Sequence, residues 1–455
     1  MPDKIALVVT YGTLQGHSWM WESRDSCLLG RHSECGITLP NDEAHKTISR
    51  HHALLDISPP NVRIRDFGSL NGTFVNGEKI GARSRNQSPE EAAKHQFPER
   101  ELQHGDEVRI GDTVFRVHVQ QDKVKPQHLA PSGNVSDVIQ GLLARADLPG
   151  AAASGADVSK IKGYEIIQEL GRGGMGAVYL ARHRTTNETV ALKVMLPNVA
   201  ISDHARASFL REAELSKALN HPNVVEMLGG GYEGGTFFFT LEYCPGGSVY
   251  DYFHEPKDHP PTARDAFVIA LQVLDGLDYI ANVPLEVELQ DGSTMLANGL
   301  VHRDLSPDNI LLSEQNGTMV AKISDVGLGK AFDTAGLSGM TMTGGGPSGK
   351  VRFMPRQQVI NFKFAKPEVD VWAAAATLYW MLSGDYPRDF PNGVDPYKIV
   401  LSTDPVPIRN RAPQCPQPIA DVIDRALRDK SDLHYKSALD LHRDLLAALK
   451  EIGIV

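Results

Sequence analysis

The chain has 455 residues, 41% of them hydrophobic and 22% charged, with a formal net charge of −10. That length allows two or three domains with sizeable cores, and the acidic balance argues against nucleic acid or an anionic membrane as partner. The scattered Cys27, Cys35, Cys244 and Cys415 lack metal spacing and read as idle thiols; no signal-like N-terminus or bilayer-length apolar run stands out, so the chain reads as soluble and cytoplasmic.

Residues 1–120 carry short apolar runs at 5–9, 27–29, 53–57, 62–64, 73–75, 107–110 and 114–117, separated by Gly, Asn, Asp and Pro. So many strands in so few residues predict an all-β sandwich. Its loops hold Gly30-Arg31, then Ser49-Arg50-His51-His52, then Asn71-Gly72-Thr73-Phe74-Val75-Asn76-Gly77, with Gly105-Asp106-Glu107 further on. A phosphate dianion is held best by a guanidinium, a hydroxyl and backbone donors converging from neighbouring loops, and these loops offer that set. Together they closely resemble a forkhead-associated (FHA) domain, a reader of phosphothreonine peptides. The resemblance implies that Arg31 and Ser49 contact the phosphate, with Arg50 as a second cation and Asn71 on the peptide main chain. His52 would brace the loop without touching ligand. The plainer alternative is a sandwich whose arginines form surface ion pairs. A polar insert at 82–100 could shade or extend the peptide site.

Residues 121–163 have linker composition, with Lys125-Pro126, Pro131-Ser132-Gly133 and an Ala/Gly patch from Pro149. Within them, residues 135–147 have helical spacing behind Ser136, a helix that either docks on a domain or stays a free amphipathic segment.

From Tyr164 another pattern begins. Leu170-Gly171-Arg172-Gly173-Gly174-Met175-Gly176-Ala177-Val178 lies between two strand-like runs, which predicts a hairpin lid whose glycines let backbone approach phosphates. Val190-Ala191-Leu192-Lys193 follows as a strand, and residues 209–215 read as a helix carrying Glu212. Residues 237–244 form a buried strand, residues 263–282 a long helix, and residues 284–296 a hairpin around Asp291-Gly292. Val301-His302-Arg303-Asp304-Leu305-Ser306-Pro307-Asp308-Asn309 is a polar loop in which a carboxylate could take a hydroxyl proton and a carboxamide could hold a metal near a phosphate. Asp325-Val326-Gly327 comes next.

In this order the motifs resemble a eukaryotic-type protein kinase, and the Gly-Met-Gly wording is similar to bacterial Ser/Thr kinases. The resemblance implies that Leu170 to Val178, Ala191, Lys193, the backbone of Glu242 and Cys244, and Leu311 bind ATP, with Leu241 as gatekeeper. Lys193 would orient the phosphates and pair with Glu212. Asp304 would be the catalytic base, and Asn309 and Asp325 would hold Mg²⁺. Arg303 would receive a phosphate from the activation segment. Three departures stand out. Ser306 replaces a lysine that stabilises the transferring group, a loss worth several kcal/mol in comparable sites. Val326 replaces a phenylalanine. The A-P-E motif reads Met354-Pro355-Arg356, and its usual basic partner falls at His434, so both ends of a buried ion pair are expected to have changed together.

The expected architecture is multidomain: an all-β FHA sandwich (1–120), a linker with a short helix (121–163), and an α+β bilobal kinase (164–455), with an N-lobe to about residue 243 and a C-lobe from 244. The expected activity is ATP·Mg²⁺-dependent phosphorylation of protein Ser/Thr; the rivals are a pseudokinase scaffold and a small-molecule kinase. Expected partners are protein substrates and phosphothreonine proteins. The linker offers no threonine, whereas the activation segment offers Thr334, Thr341 and Thr343. Autophosphorylation at Thr341 or Thr343 would therefore either pair with Arg303 or be captured by the FHA domain of another copy, giving phosphorylation-dependent self-association.

Overall fold

The computed structural model describes residues 4–120, 161–195, 216–326 and 349–454, apart from short stretches inside these spans such as 88–96, 174–175, 255–259 and 289–293. The linker helix expected at 135–147 and the segment with Glu212 lie outside the described residues. Eleven strands build the N-terminal unit: β1 (Lys4–Tyr11), β2 (Ser18–Trp21), β3 (Asp25–Gly30), β4 (Ile37–Thr38), β5 (Ala53–Ser58), β6 (Asn61–Asp66), β7 (Thr73–Val75), β8 (Glu78–Gly81), β9 (Arg100–Leu102), β10 (Glu107–Ile110) and β11 (Thr113–Gln120). They form two sheets, ordered β2-β1-β11-β10-β7-β8 and β4-β3-β5-β6-β9. Alternate residues of each, such as Ile5 and Leu7, Leu29, Leu55 and Phe115, fill the space between the sheets. Every strand expected from the sequence is present. The four that were not expected, β2, β4, β8 and β9, are the edges of the two sheets. Edge strands are short and partly solvated, so they carry little apolar alternation.

The kinase-like part begins with β12 (Tyr164–Gly173), β13 (Gly176–His183), β14 (Thr189–Met195), β15 (Met227–Glu233) and β16 (Thr236–Glu242), a sheet ordered β12-β13-β14-β16-β15. Below it come α1 (Val249–His254), α2 (Ala263–Asn282), the hairpin β17 (Pro284–Glu288) and β18 (Thr294–Asn298), and a second hairpin, β19 (Ile310–Gln315) and β20 (Thr318–Ile323). Then follow α3 (Arg356–Ile360), α4 (Glu368–Ser383), α5 (Pro396–Ser402), α6 (Gln417–Ala426) and α7 (Ala438–Glu451). The helix α2 starts where its sequence caps it: Thr262 and Asp265 satisfy each other's backbone N–H groups. Every residue of α4 from Val369 to Met381 is buried, so this helix is apolar all round and serves as the axis of the C-lobe. Among the described residues no helix is long and apolar enough to cross a membrane.

Two expectations need correction. The first concerns Arg356. Its partner is not His434, whose ring packs edge-on against Tyr435. Its backbone N–H donates to Asp429 (2.8 Å), its guanidinium lies 3.4 Å from the same carboxylate, and Arg388 donates to that carboxylate at 2.5 Å. Exchanging an acid for a base at position 356 requires an acid opposite, which a histidine cannot supply. Arg356 is thus matched in charge by Asp429, not by residue 434.

The second concerns the independence of the N-terminal unit. Arg65, at the end of β6, is buried and ion-pairs with Asp395, the equally buried N-cap of α5. Phe67 lies 5.1 Å from the Lys398 ammonium, and Leu28, Cys35 and Leu54 pack with Tyr397 and Leu401. The outer face of the β4-β3-β5-β6-β9 sheet is thus docked on the C-lobe. The described end of the 82–100 insert joins this interface, with Phe97 at 5.5 Å from Lys398. Removing one member of a fully buried pair strands the other charge. Arg65→Met is therefore expected to cost about 3–5 kcal/mol, and Arg65→Met/Asp395→Asn to recover part of it. Urea unfolding of the full chain measures both; a single variant as stable as the unmodified chain would remove the pair from any role in docking.

Candidate active site and phosphate-binding loops

The cleft between the lobes is organised by a carboxylate that never reaches it. Asp370, buried in the first turn of α4, accepts the backbone N–H groups of His302 (2.7 Å) and Arg303 (2.8 Å). Burial pushes its carboxyl above the usual range, and these two donors, with the nearby charges, pull it partly back. Arg303 is thereby held at φ 64°, a left-handed conformation that costs a non-glycine residue on the order of 1 kcal/mol or more. The next residue, Asp304, donates its N–H to His302 Nδ1 (3.2 Å), so the other ring nitrogen carries the proton given to the Ser324 carbonyl at 2.8 Å. Asn309 turns its amide nitrogen to the Asp304 backbone oxygen (2.7 Å) and carboxylate (3.2 Å), leaving its oxygen as the end available to a cation.

Across the cleft, Lys193 on β14 stands opposite Val178 of β13 and reaches Asp325, with both carboxylate oxygens at 2.7 Å from its ammonium. Asp325 also has positive φ, 62°. Burial alone would raise its carboxyl, but Lys193, with a smaller push from Lys350, outweighs that and holds it below the usual range. Val326 is buried, accepts from Ser216 at 3.3 Å, and lines a small cavity with Leu241, the expected gatekeeper. Ala191 sits opposite Leu241 in the sheet, and Leu311 follows the catalytic loop on β19. Glu242 donates its N–H to Glu226 (2.9 Å), so a nucleobase contact from that residue is left to its carbonyl. The thiol of Cys244 is pushed up to about 12 by burial and by Glu242, so it stays protonated. In the lid, Leu170 is exposed, Arg172 pairs with Glu169 at 2.6 Å, and Gly173 pairs with Gly176; Gly174 and Met175 lie outside the described residues, as do Glu212, Thr341 and Thr343.

Sequence motifs did not point to Lys350. It comes from the short 3₁₀ turn Gly349–Phe353 and donates to the Asp304 carboxylate. Nothing in its local sequence distinguishes it from a surface lysine.

In the sandwich, Gly30 is required because a Cβ there would lie 2.1 Å from the Arg50 carbonyl; the first two loops expected to hold phosphate cross at this point. Arg31 and Arg50 line a cavity of about 740 Å³ together with Trp19, Thr38 and Asn41. The Arg31 guanidinium hydrogen-bonds the Ile48 carbonyl and Asn41. Ser49 accepts from the Leu70 N–H (3.2 Å) and Asn71 donates to the Thr47 carbonyl (2.6 Å), so both tie loop to loop, and neither lines the cavity. His52 is fully buried between the Ser49 N–H (3.0 Å) and the Gly72 carbonyl (3.1 Å), the bracing role expected of it. Asp66 accepts from Gly68, Ser69 and Thr73 and so shapes the loop that carries Asn71.

His51 lies beside these arginines. Burial, with His32 and Arg50, pushes it down from 6.5 to about 4, and its Nε2 is buried with no hydrogen-bond partner among the described residues. Between pH 6.5 and 4 the unfolded chain therefore binds more protons there than the folded one. Stability should fall as pH drops through that window, by on the order of 2 kcal/mol from this residue. His51→Gln should lose less stability than the unmodified chain between pH 7 and pH 4, as read by urea unfolding; parallel pH curves would contradict the assignment.

Residues 164–432 match the protein kinase domain family, and residues 27–111 match the FHA domain. Serine/threonine-protein kinase PknF of Mycobacterium tuberculosis is 28% identical over 292 residues, which cover 64% of this chain and 57% of PknF. Serine/threonine-protein kinase PkaA of Streptomyces coelicolor is 28% identical over 302 residues, covering 64% of this chain and 51% of PkaA. The chain spans about half the length of these curated relatives. A crystal structure of a double mutant of the Mycobacterium tuberculosis PknI kinase domain is 22% identical, with a TM-score of 0.46, covering 66% of this chain and 99% of that one. Since the kinase match takes in more than half of the 455 residues, this chain belongs to the protein kinase family, with an FHA domain preceding its kinase domain.

Proposed function

We propose that the chain transfers the γ-phosphoryl group of ATP to serine or threonine hydroxyls of proteins, and that its FHA domain recruits phosphothreonine-bearing segments. The observation that carries the first part is the cleft in which Lys193 grips Asp325 at 2.7 Å while Asp304 and Asn309 face it from the catalytic loop. Oxygen donors from one carboxylate and one carboxamide suit Mg²⁺, which takes most of its remaining ligands from water and substrate phosphates. Asp325 and Asn309 would hold it, and when bound it neutralises charge on the phosphates. Lys193 orients the phosphate chain, with Glu212 as its expected helix partner. The substrate hydroxyl oxygen bonds to the γ-phosphorus, the bond to the β,γ-bridging oxygen breaks with its electron pair leaving on ADP, and Asp304 receives the hydroxyl proton.

The FHA reading rests on the cavity that brings Arg31 and Arg50 together, two guanidiniums fit for a phosphate dianion. Its ligand on this reading is a phosphothreonine of a partner, or phosphorylated Thr341 or Thr343 of a second copy. One observation favours a second reading, a nucleotide-binding scaffold without catalysis: Ser306 puts a neutral side chain where the family's loop has a cation.

Lys193→Met and Asp325→Ala are each expected to lower radiolabelled phosphate transfer by about 10²-fold or more without unfolding the chain. Unchanged transfer in either would end the enzymatic reading. Arg31→Ala should abolish binding of a phosphothreonine peptide in calorimetry while transfer to a generic peptide persists. Equal affinity for the matching phosphoserine peptide would argue against the FHA assignment.

A further inference from the structure

Ser306 is fully buried, and its hydroxyl has no hydrogen-bond partner among the described residues. It neither carries charge nor reaches the cleft. The carboxylate two residues before it is nonetheless matched by a cation: the Lys350 ammonium donates to Asp304 Oδ2. We propose that Lys350 is a catalytic residue that supplies the positive charge missing at position 306, bridging Asp304 and the phosphoryl group in transfer. This rests on the phosphoryl-transfer reading above.

The geometry supports such a bridge. Lys350 belongs to the 3₁₀ turn Gly349–Phe353, which is pinned by the buried Val351 and Phe353, so its Cα has a fixed position beside the catalytic loop. Its side chain is 35% exposed and that of Asp304 36%, so both remain open to a ligand in the cleft. Burial by itself would make the ammonium easier to deprotonate, but Asp304, then Asp325 and Asp308, more than compensate and keep it charged. Two lysines thus face two carboxylates across the site, Lys193 on Asp325 and Lys350 on Asp304. In transfer, the ammonium keeps its three protons. It donates one to Asp304 and another to a non-bridging oxygen of the phosphoryl group, while the hydroxyl proton still passes to Asp304 and the electron pair still leaves on ADP. A cation fixed where charge develops typically contributes about 10²–10³ in kcat.

A purely structural role, a latch that holds the activation segment on Asp304, would look the same in the coordinates but not in kinetics. The experiment compares the full chain with Lys350→Met, Lys350→Arg, Ser306→Lys and the double variant Lys350→Met/Ser306→Lys, measuring kcat and KM for ATP on a generic peptide and urea unfolding of each. The inference expects Lys350→Met to lose about 10²–10³ in kcat with little change in KM, and Lys350→Arg to retain more. It expects the double variant to regain at least about tenfold of that loss, because a lysine at 306 restores charge but not the latch. If Ser306→Lys is itself unstable, the kcat-against-KM split of Lys350→Met and the Arg variant decide. A loss confined to KM, or no rescue by a stably folded double variant, overturns the inference. If the unmodified chain is active and Lys350→Met keeps its kcat, this inference alone falls; if the unmodified chain transfers no phosphate, the underlying reading falls with it.

Discussion

The cleft depends on one buried carboxylate. Asp370 sits where α4, the axis of the C-lobe, meets the catalytic loop, and it holds two consecutive backbone N–H groups of that loop. Two such donors to an ionised group are worth more than neutral hydrogen bonds, and leaving them unpaired in the interior would be costly. That anchoring lets Arg303 keep a left-handed backbone, and after this bend Asn309 donates to the Asp304 backbone oxygen. The apolar character of α4 contributes in turn, since a helix buried on every side cannot shift its first turn without repacking the lobe.

Elsewhere the chain departs from the family's pattern but keeps its charge logic. Arg356, at the position where an acid was expected, is matched by Asp429, which also accepts from Arg388. Asp304 faces Lys350 from a different segment of the chain. In a low-dielectric interior an unmatched charge is penalised far more than a matched pair is rewarded. Sequences can therefore change which residue bears each charge, provided opposite signs still meet.

The docking of the sandwich follows from the same rule combined with apolar burial. Strands β3 and β5 adjoin the loops of Arg31 and Arg50, and their outer residues Leu28 and Leu54 pack toward α5 of the C-lobe. The Arg65–Asp395 pair lies in the middle of this contact, flanked by the rings of Phe67 and Tyr397. The loops that bear Arg31 and Arg50 thus spring from strands fixed to the kinase domain, so the position of the cavity they line is tied to the fold of the C-lobe.

The sequence by itself determined the elements with strong local signals. Short apolar runs marked the inner strands of the sandwich, residues 263–282 read as the helix α2, and the hairpin expected at 284–296 was visible in its alternation. The motif residues Lys193, Asp304, Asn309 and Asp325 were legible because their spacing is fixed by a hairpin lid and a short loop, both local structures. The edge strands were not, because solvated edges need no apolar pattern. The runs Cys27-Leu28-Leu29 and Ala53-Leu54-Leu55 were apolar without alternation, a sign that both faces are buried, but what covers the outer face was not in the run. Only the tertiary structure paired Arg65 with Asp395, Arg356 with Asp429, and Lys350 with Asp304. Each joins residues far apart in the chain, and a charge carries no record of its partner until packing removes the water between them.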